Sequence, residues 1–278
     1  MTCERLTRAA AVLAAVVLSA TAATAQSGGG HAMHAAPAAV ASTQDAAAMV
    51  ASGSEAHPVH APIYFGAVLL DQNEIRSTGR GNLAYAWEGS AFYGTSHDRV
   101  WVNTRGETSA EGERLERAEV ELLYSHLLGY YWDIQAGVRH DVRVDPREGT
   151  PARSYGVIGL QGLAPGFFEV QLHGFVSQEG IFLARASASY DLLITNRLVL
   201  QPEVELNVSS GWDRDALIAP GLYRVEAGIR LRYEITREFA PYIGFSYERY
   251  TGGASGLVRN HGEKPGRAAV VAGIRLFF

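Results

Sequence analysis

The stretch LVLQPEVELNVS, from Leu198 to Ser209, alternates without a slip. Leu198, Leu200, Pro202, Val204, Leu206 and Val208 fall on one face, and Val199, Gln201, Glu203, Glu205, Asn207 and Ser209 on the other. A period of two belongs to an extended strand and not to a helix. The same pattern sets Tyr223, Val225, Ala227, Ile229, Leu231, Tyr233 and Ile235 against Arg224, Glu226, Gly228, Arg230, Arg232 and Glu234. It also sets Tyr130, Trp132, Ile134, Ala136 and Val138 against Tyr131, Asp133, Gln135, Gly137, Arg139 and Asp141. Strands of soluble sandwiches run to about 5–6 residues, whereas these runs are far longer, apolar on one side and charged on the other. A charge on the lipid face of a transmembrane barrel costs ~2–4 kcal/mol at the midplane, so the strict parity of Arg and Glu predicts that they face a lumen.

Working outward, about twelve such segments are expected, near 63–75, 82–96, 99–107, 114–127, 130–144, 153–162, 167–177, 181–192, 198–209, 221–235, 239–251 and 267–278. An even number lets an antiparallel barrel close with both ends on one side. The connections agree. Those at 96–98, 128–129, 163–166, 195–197 and 236–238 are tight, while 145–152, 210–220 and 252–266 are long, as expected for short periplasmic turns and longer external loops. The register of the first strand is left open by this test. Val270, Ala272, Ile274, Leu276 and Phe278 alternate outward at the end of the chain, which closes on phenylalanine in the manner of an outer-membrane assembly signal. Closure itself is obligatory, since an unpaired edge in hydrocarbon leaves backbone groups without partners.

The remainder of the chain is a different material. The 278 residues are 47% hydrophobic and 19% charged, with net charge -5 and pI near 6.0, which gives no footprint for a nucleic-acid partner. Arg5 and Arg8, the apolar run Ala9 to Leu18, and Ala23-Thr24-Ala25 before Gln26 read as an export signal over 1–25. The run is too short to span a bilayer as a helix. The single cysteine, Cys3, lies within that signal, so the mature chain has neither disulfides nor thiolate ligands. Residues 26–61 are rich in Ala, Ser, Gly and His and have no aromatics, a composition that cannot bury enough surface to order a backbone. The segment is expected to be a disordered tail. It carries soft ligands in H-A-M-H and H-P-V-H: His31, Met33, His34, Met49, His57 and His60. Imidazole with thioether suits copper, the thioether favouring Cu(I), and a flexible tail can wrap an ion without a preformed cage.

The segments AWEGSAFYG from Ala86, VWVNTRGE from Val100, ELLYS from Glu121, WDIQAGVRHD from Trp132, GLQGLAP from Gly159, YDLLITNRLVLQP from Tyr190 and LRYEITREFAPY from Leu231 resemble the copper-resistance protein B family of Gram-negative outer membranes. The resemblance runs from about residue 62 to the end. It implies an outer-membrane barrel that works beside a periplasmic multicopper oxidase in copper tolerance, with a Met/His-rich tail in the periplasm. Members often carry many Met-His repeats, whereas this tail has two methionines and four histidines. A single weak site or a hand-off is therefore implied here, with Cu(I) or Cu(II) as the ion.

Within the barrel the candidate ligands are fewer. His173 shares the lumen parity of Glu169 and Gln171, His97 falls in a predicted periplasmic turn, and His126 lies near another turn with lipid-facing parity. The charges at Arg139, Asp141, Glu169, Arg185, Asp191, Glu203, Glu205, Arg224, Glu226, Arg230, Arg232 and Glu234 read as an ion-pair network filling a narrow lumen. The expectation is an all-β, monomeric outer-membrane barrel in contact with lipid, over 62–278, which binds copper without catalysis. Two alternatives stand beside it: a passive pore, and a barrel-borne lipid hydrolase using Ser, His and a polar orienter. His140 adjoins Asp141, but no serine of an adjacent predicted strand is clearly aligned with it.

Overall fold

The computed structural model describes residues 62–77, 83–108, 115–142 and 152–278. The expected export signal and tail, with His31, Met33, His34, Met49, His57 and His60, lie outside the described residues. The strands are β1 (Phe65–Ser77), β2 (Leu83–Gly94), β3 (Asp98–Thr108), β4 (Leu115–Gly129), β5 (Trp132–Val142), β6 (Arg153–Ala164), β7 (Phe168–Ser177), β8 (Phe182–Ser189), β9 (Leu192–Leu193), β10 (Leu198–Ser209), β11 (Gly221–Tyr233), β12 (Phe239–Tyr250) and β13 (Gly266–Phe277), with a helix, α1 (Gly252–Asn260), between the last two. Neighbours pair antiparallel in chain order, and β1 pairs with β13 to close the sheet. β8 and β9 both lie along the same edge of β10, so they form one interrupted stave and the barrel has twelve.

The interruption has a local cause. Tyr190 donates its N–H to the carbonyl of Pro202 at 3.1 Å. In an extended strand the nitrogen and carbonyl of one residue point the same way, so the proline nitrogen, which carries no hydrogen, also faces this stave. The ladder loses a donor there and breaks at residues 190 and 191.

The alternation holds along the barrel. On β10, Val199, Glu205, Asn207 and Ser209 are buried while Val204, Leu206 and Val208 are exposed. On β5, Asp133 and Gln135 are buried and Val138 is exposed. Two bulges shift the parity. In β1 the register slips after Leu70, so that Asp71 faces the lumen and Gln72, Glu74 and Arg76 then do so too. This slip is why alternation could not fix the first strand. In β11 the slip between Asn207 and Val208 of its partner leaves Leu222 exposed and turns Tyr223 inward beside Arg224, where alternation had put it outside.

The tight turns and both ends of the barrel domain share one rim. Pro165-Gly166, with φ of 88° at Gly166, is the Pro-Gly order of a type II turn and joins β6 to β7 through Phe167 N–H donating to Ala164 O. Exposed Tyr93, Tyr130, Phe167, Phe168 and Phe278 gather at this end, as interfacial aromatics do. Phe278 exchanges both backbone hydrogen bonds with Val68, each 2.9 Å, and so extends the closing ladder to the last residue. At the other rim, residues 210–220 fold in with Ala216, Ile218 and Ala219 buried, and α1 buries Ala254 and Val258. The sequence pattern marked 252–266 simply as a long loop. A helix of nine residues forms there because Thr251 stands in extended geometry ahead of it and Trp212 packs on Gly253, where a Cβ would sit 2.5 Å from the ring.

Candidate functional site

Strand parity sends the polar faces of all twelve staves into one interior, and their charges meet there. Glu119 of β4 takes Arg185 at 2.8 Å, Arg139 at 2.9 Å and Arg117 at 3.7 Å. Glu74 of β1 takes Arg76 at 2.8 Å and Arg230 at 3.0 Å, and accepts the hydroxyl of Tyr242 at 3.0 Å. Arg105 of β3 reaches Glu205 of β10 at 2.7 Å and Glu88 at 3.0 Å. With β8 and β9 counted as one stave, β3 and β10 are diametrically opposed, so this pair is a strut across the full lumen. Arg267 to Glu107 at 2.7 Å and Arg185 to Glu121 at 3.5 Å cross as chords.

On β4, β6 and β7 the inward face carries an apolar cluster of Leu123, Tyr155, Val157 and Phe175. The guanidinium carbons of Arg139 and Arg185 lie 4.7 and 5.3 Å from the Phe175 ring centre. The side chains of Glu119, Glu121, Arg185 and Glu205 are each less than one-tenth exposed. These groups form a filled septum.

On the turn side of the septum a chamber of about 240 Å³ remains, against about 70 and 30 Å³ for the spaces on the loop side. The chamber wall carries eight carboxylates (Asp71, Glu88, Glu119, Glu121, Glu169, Asp191, Glu203 and Glu205) and three guanidiniums, of Arg105, Arg185 and Arg275. Of the two loop-side spaces, the one of about 30 Å³ has Arg117, Arg139, Arg153, Arg185 and Arg224 against Glu119 and Asp141, whereas the one of about 70 Å³ has six carboxylates against five guanidiniums. The lumen is acidic toward the turns and mixed in charge toward the loops.

Among the described residues, the candidate histidines His97, His126 and His173 are not brought together. His173 of β7 is 5% exposed on the lumen side, and its Nε2 lies 2.9 Å from Gln135 Oε1. His126 is on the outer face at the turn rim, where its Nδ1 is 2.7 Å from Asp98 Oδ1, which also accepts the hydroxyl of Tyr124. His97 is exposed in the adjoining turn, with Nδ1 3.0 Å from Ser96 Oγ. Among the described residues, no three His, Cys, Asp or Glu side chains converge as a metal cage.

The sequence pattern had not aligned a serine with His140. Ser154 of β6 stands directly across from it, Oγ to Nδ1 2.9 Å, because the register of β5 with β6 is set after an intervening long loop. Asp141 does not orient this histidine. It faces the lumen and accepts Arg139 at 2.6 and 2.7 Å.

Several interior charges escaped the sequence reading. Glu119 and Glu121 alternate with Val120 and Leu122, and Arg105 and Glu107 lie two apart, so parity was available for both pairs. Glu74 and Arg76 were hidden by the bulge.

Residues 64–278 match the family model described as Copper resistance protein B precursor (CopB). The chain is 41% identical over 224 residues to Copper resistance protein B of Escherichia coli, covering 81% of this chain and 73% of that protein. It is 36% identical over 234 residues to the Copper resistance protein B homolog of Pseudomonas syringae pv. tomato (strain ATCC BAA-871 / DC3000), covering 84% and 76% respectively. Among solved structures it is similar to a NanC porin, at 14% identity and a TM-score of 0.48 over 76% of this chain and 99% of that one.

Proposed function

The chain belongs to the copper resistance protein B family, and from that premise we propose that it serves copper resistance at the outer membrane by holding copper or handing it on, without catalysing a reaction. Copper is its cargo. In this reading His31, Met33, His34, Met49, His57 and His60 take the ion on the periplasmic side, where a multicopper oxidase is the natural partner for exchange. Thioether and imidazole donors on one short segment support that assignment, since together they accept either oxidation state of copper.

The observation that carries the proposal is the filled lumen. A passive pore needs a continuous aqueous path, whereas the Arg105–Glu205 strut crosses the lumen and the Leu123, Tyr155, Val157 and Phe175 cluster packs inward from β4, β6 and β7. A lipid hydrolase needs an orienting group behind its histidine, and Asp141 is turned away from His140. Retention and transfer at the ends of the barrel is the function this interior favours.

The test replaces all six tail ligands by alanine in the full-length chain. Copper tolerance of cells and copper stoichiometry in chelator competition should both fall, while planar bilayers containing the parent protein should carry negligible steady current. Unchanged tolerance and stoichiometry, or a large steady current from the parent protein, would overturn the proposal.

A further inference from the structure

We propose that the acidic chamber on the turn side of the septum is a second cation site, in which His173 Nδ1 binds a hydrated borderline dication of the Cu(II) class. The proposal rests on the copper reading above and deepens it by giving the barrel its own site, distinct in ligand chemistry from the tail.

The argument begins with a chain of amides. Gln135 donates its Nε2 to Gln161 Oε1 at 3.2 Å, which directs Gln135 Oε1 toward His173 Nε2 at 2.9 Å. An amide oxygen can only accept, so Nε2 carries the hydrogen and Nδ1 carries the free lone pair. Fixing the tautomer through the second nitrogen is how metal-binding histidines are prepared.

Packing fixes the ring as well. Its Cδ2 edge lies where a Cβ on Gly159 would be, 2.0 Å away, so β6 must carry glycine at that register position and the Nδ1 edge is turned away from β6. Nδ1 takes no partner among the described residues, and the ring forms part of the chamber wall.

Charge then decides what enters and where it stops. Seven of the eight wall carboxylates are ion-paired with arginine, Asp71 with Arg275 at 2.8 Å among them, whereas Glu169 forms no ion pair among the described residues and offers its charge to a cation from the turn side. One step further along the same strand, Phe175 holds the guanidiniums of Arg139 and Arg185 over its face, where both are bound to Glu119, so the way behind the histidine is closed by packed side chains. The site is a dead end.

Among the described residues no carboxylate pair joins His173 in a cage, so most of the ion's ligands are water, with Glu169 acting through that shell. A neutral imidazole in an oxygen-rich setting without thioether suits Cu(II) over Cu(I), and Cu(II) over the other first-row dications.

The test uses full-length protein in detergent carrying alanine at all six tail ligands, titrated with Cu(II) chloride and examined by pulsed EPR for the remote nitrogen of bound imidazole. A single Cu(II) with a single-imidazole signature is expected. His173→Ala in that background should abolish the signature and weaken binding by about tenfold or more. Gln135→Leu, which keeps the imidazole but frees its tautomer, should also weaken binding, with heat-modifiable gel mobility reporting that each barrel is folded. Absence of an imidazole signature in the tail variant, its persistence after His173→Ala, or unchanged affinity in folded Gln135→Leu would each overturn the proposal. Tolerance lost on tail replacement with no imidazole signature sinks this site and leaves the tail reading standing. Tolerance unaffected by tail replacement, with the His173 signature intact, does the reverse.

Discussion

Replacing the two ends of the lumen strut, by Arg105→Met and Glu205→Leu singly and together, should give strongly non-additive losses of stability. Arg105 Nη1 and Glu205 Oε2 are 2.7 Å apart, and the side chains are 21% and 8% exposed. Removing one member of a buried pair typically costs about 3–5 kcal/mol because the other charge is stranded. Each partner here keeps a lesser contact. Arg105 retains Glu88 at 3.0 Å, and Glu205 retains Arg185 at 3.6 Å and the Asn207 amide at 2.8 Å. The low end, about 3 kcal/mol for each single change, is therefore expected. The double variant removes both charges of the strut but strands Glu88, which loses Arg105, so its loss should be about 3–4 kcal/mol and the coupling about 2–3 kcal/mol. Urea unfolding in lipid vesicles, followed by the fluorescence of the four tryptophans, measures all corners of the cycle. Single losses below about 1 kcal/mol, or a double loss equal to the sum of the singles within about 0.5 kcal/mol, would show that the strut does not bear on the fold as argued.

Two further predictions concern the outside and the seam. Val138→Arg, on the outer face midway along β5 where the valine is 57% exposed, should cost about 2–4 kcal/mol in the same unfolding assay, and Tyr131→Arg at the turn rim only about 0–1 kcal/mol. Equal costs would mean that the midplane has been misplaced. Deleting Phe278 removes the reciprocal pair with Val68 at the closing seam and should lower the yield of heat-modifiable, folded barrel after refolding into lipid, whereas a yield equal to that of the parent would contradict a role for the last residue in closure.

Parity explains both what the sequence discloses and what it conceals. On β10 a single period-two run is uninterrupted from Leu198 to Ser209, and each inward residue was legible from spacing alone. Alternation fails wherever an extra residue enters the ladder. The bulge in β1 puts Asp71 and Gln72 on the same side, and the one in β11 does so for Tyr223 and Arg224. Nothing in the local composition announces either, because a bulge is set by how two strands are held in register over their full length. The Ser154–His140 contact was concealed for a related reason: register across a long connection does not follow from the residues that flank it. The candidate site was legible only in part. His173 could be placed inside by parity, but the glutamine pair that fixes its tautomer comes from β5 and β6, and their alignment exists only once β5, β6 and β7 have paired in register.

The choice of base inside the barrel bears on what the lumen can do. Of the 24 lysines and arginines in the chain only Lys264 is a lysine, and it lies in the connection before β13. The interior cations are therefore all arginine. A guanidinium offers a planar fork of donors that serves two carboxylates at once, as Arg105 does with Glu88 and Glu205, and that stacks on a ring, as Arg139 does on Phe175. An ammonium on a flexible stem would match the charge without fixing the geometry, and water could then thread past it. Forked pairs across the lumen make the middle of this barrel a rigid partition, with carboxylates in excess on the turn side and the two signs mixed on the loop side. That polarity fits retention at one face of the membrane, and it makes transit through the barrel the least compatible of the functions considered.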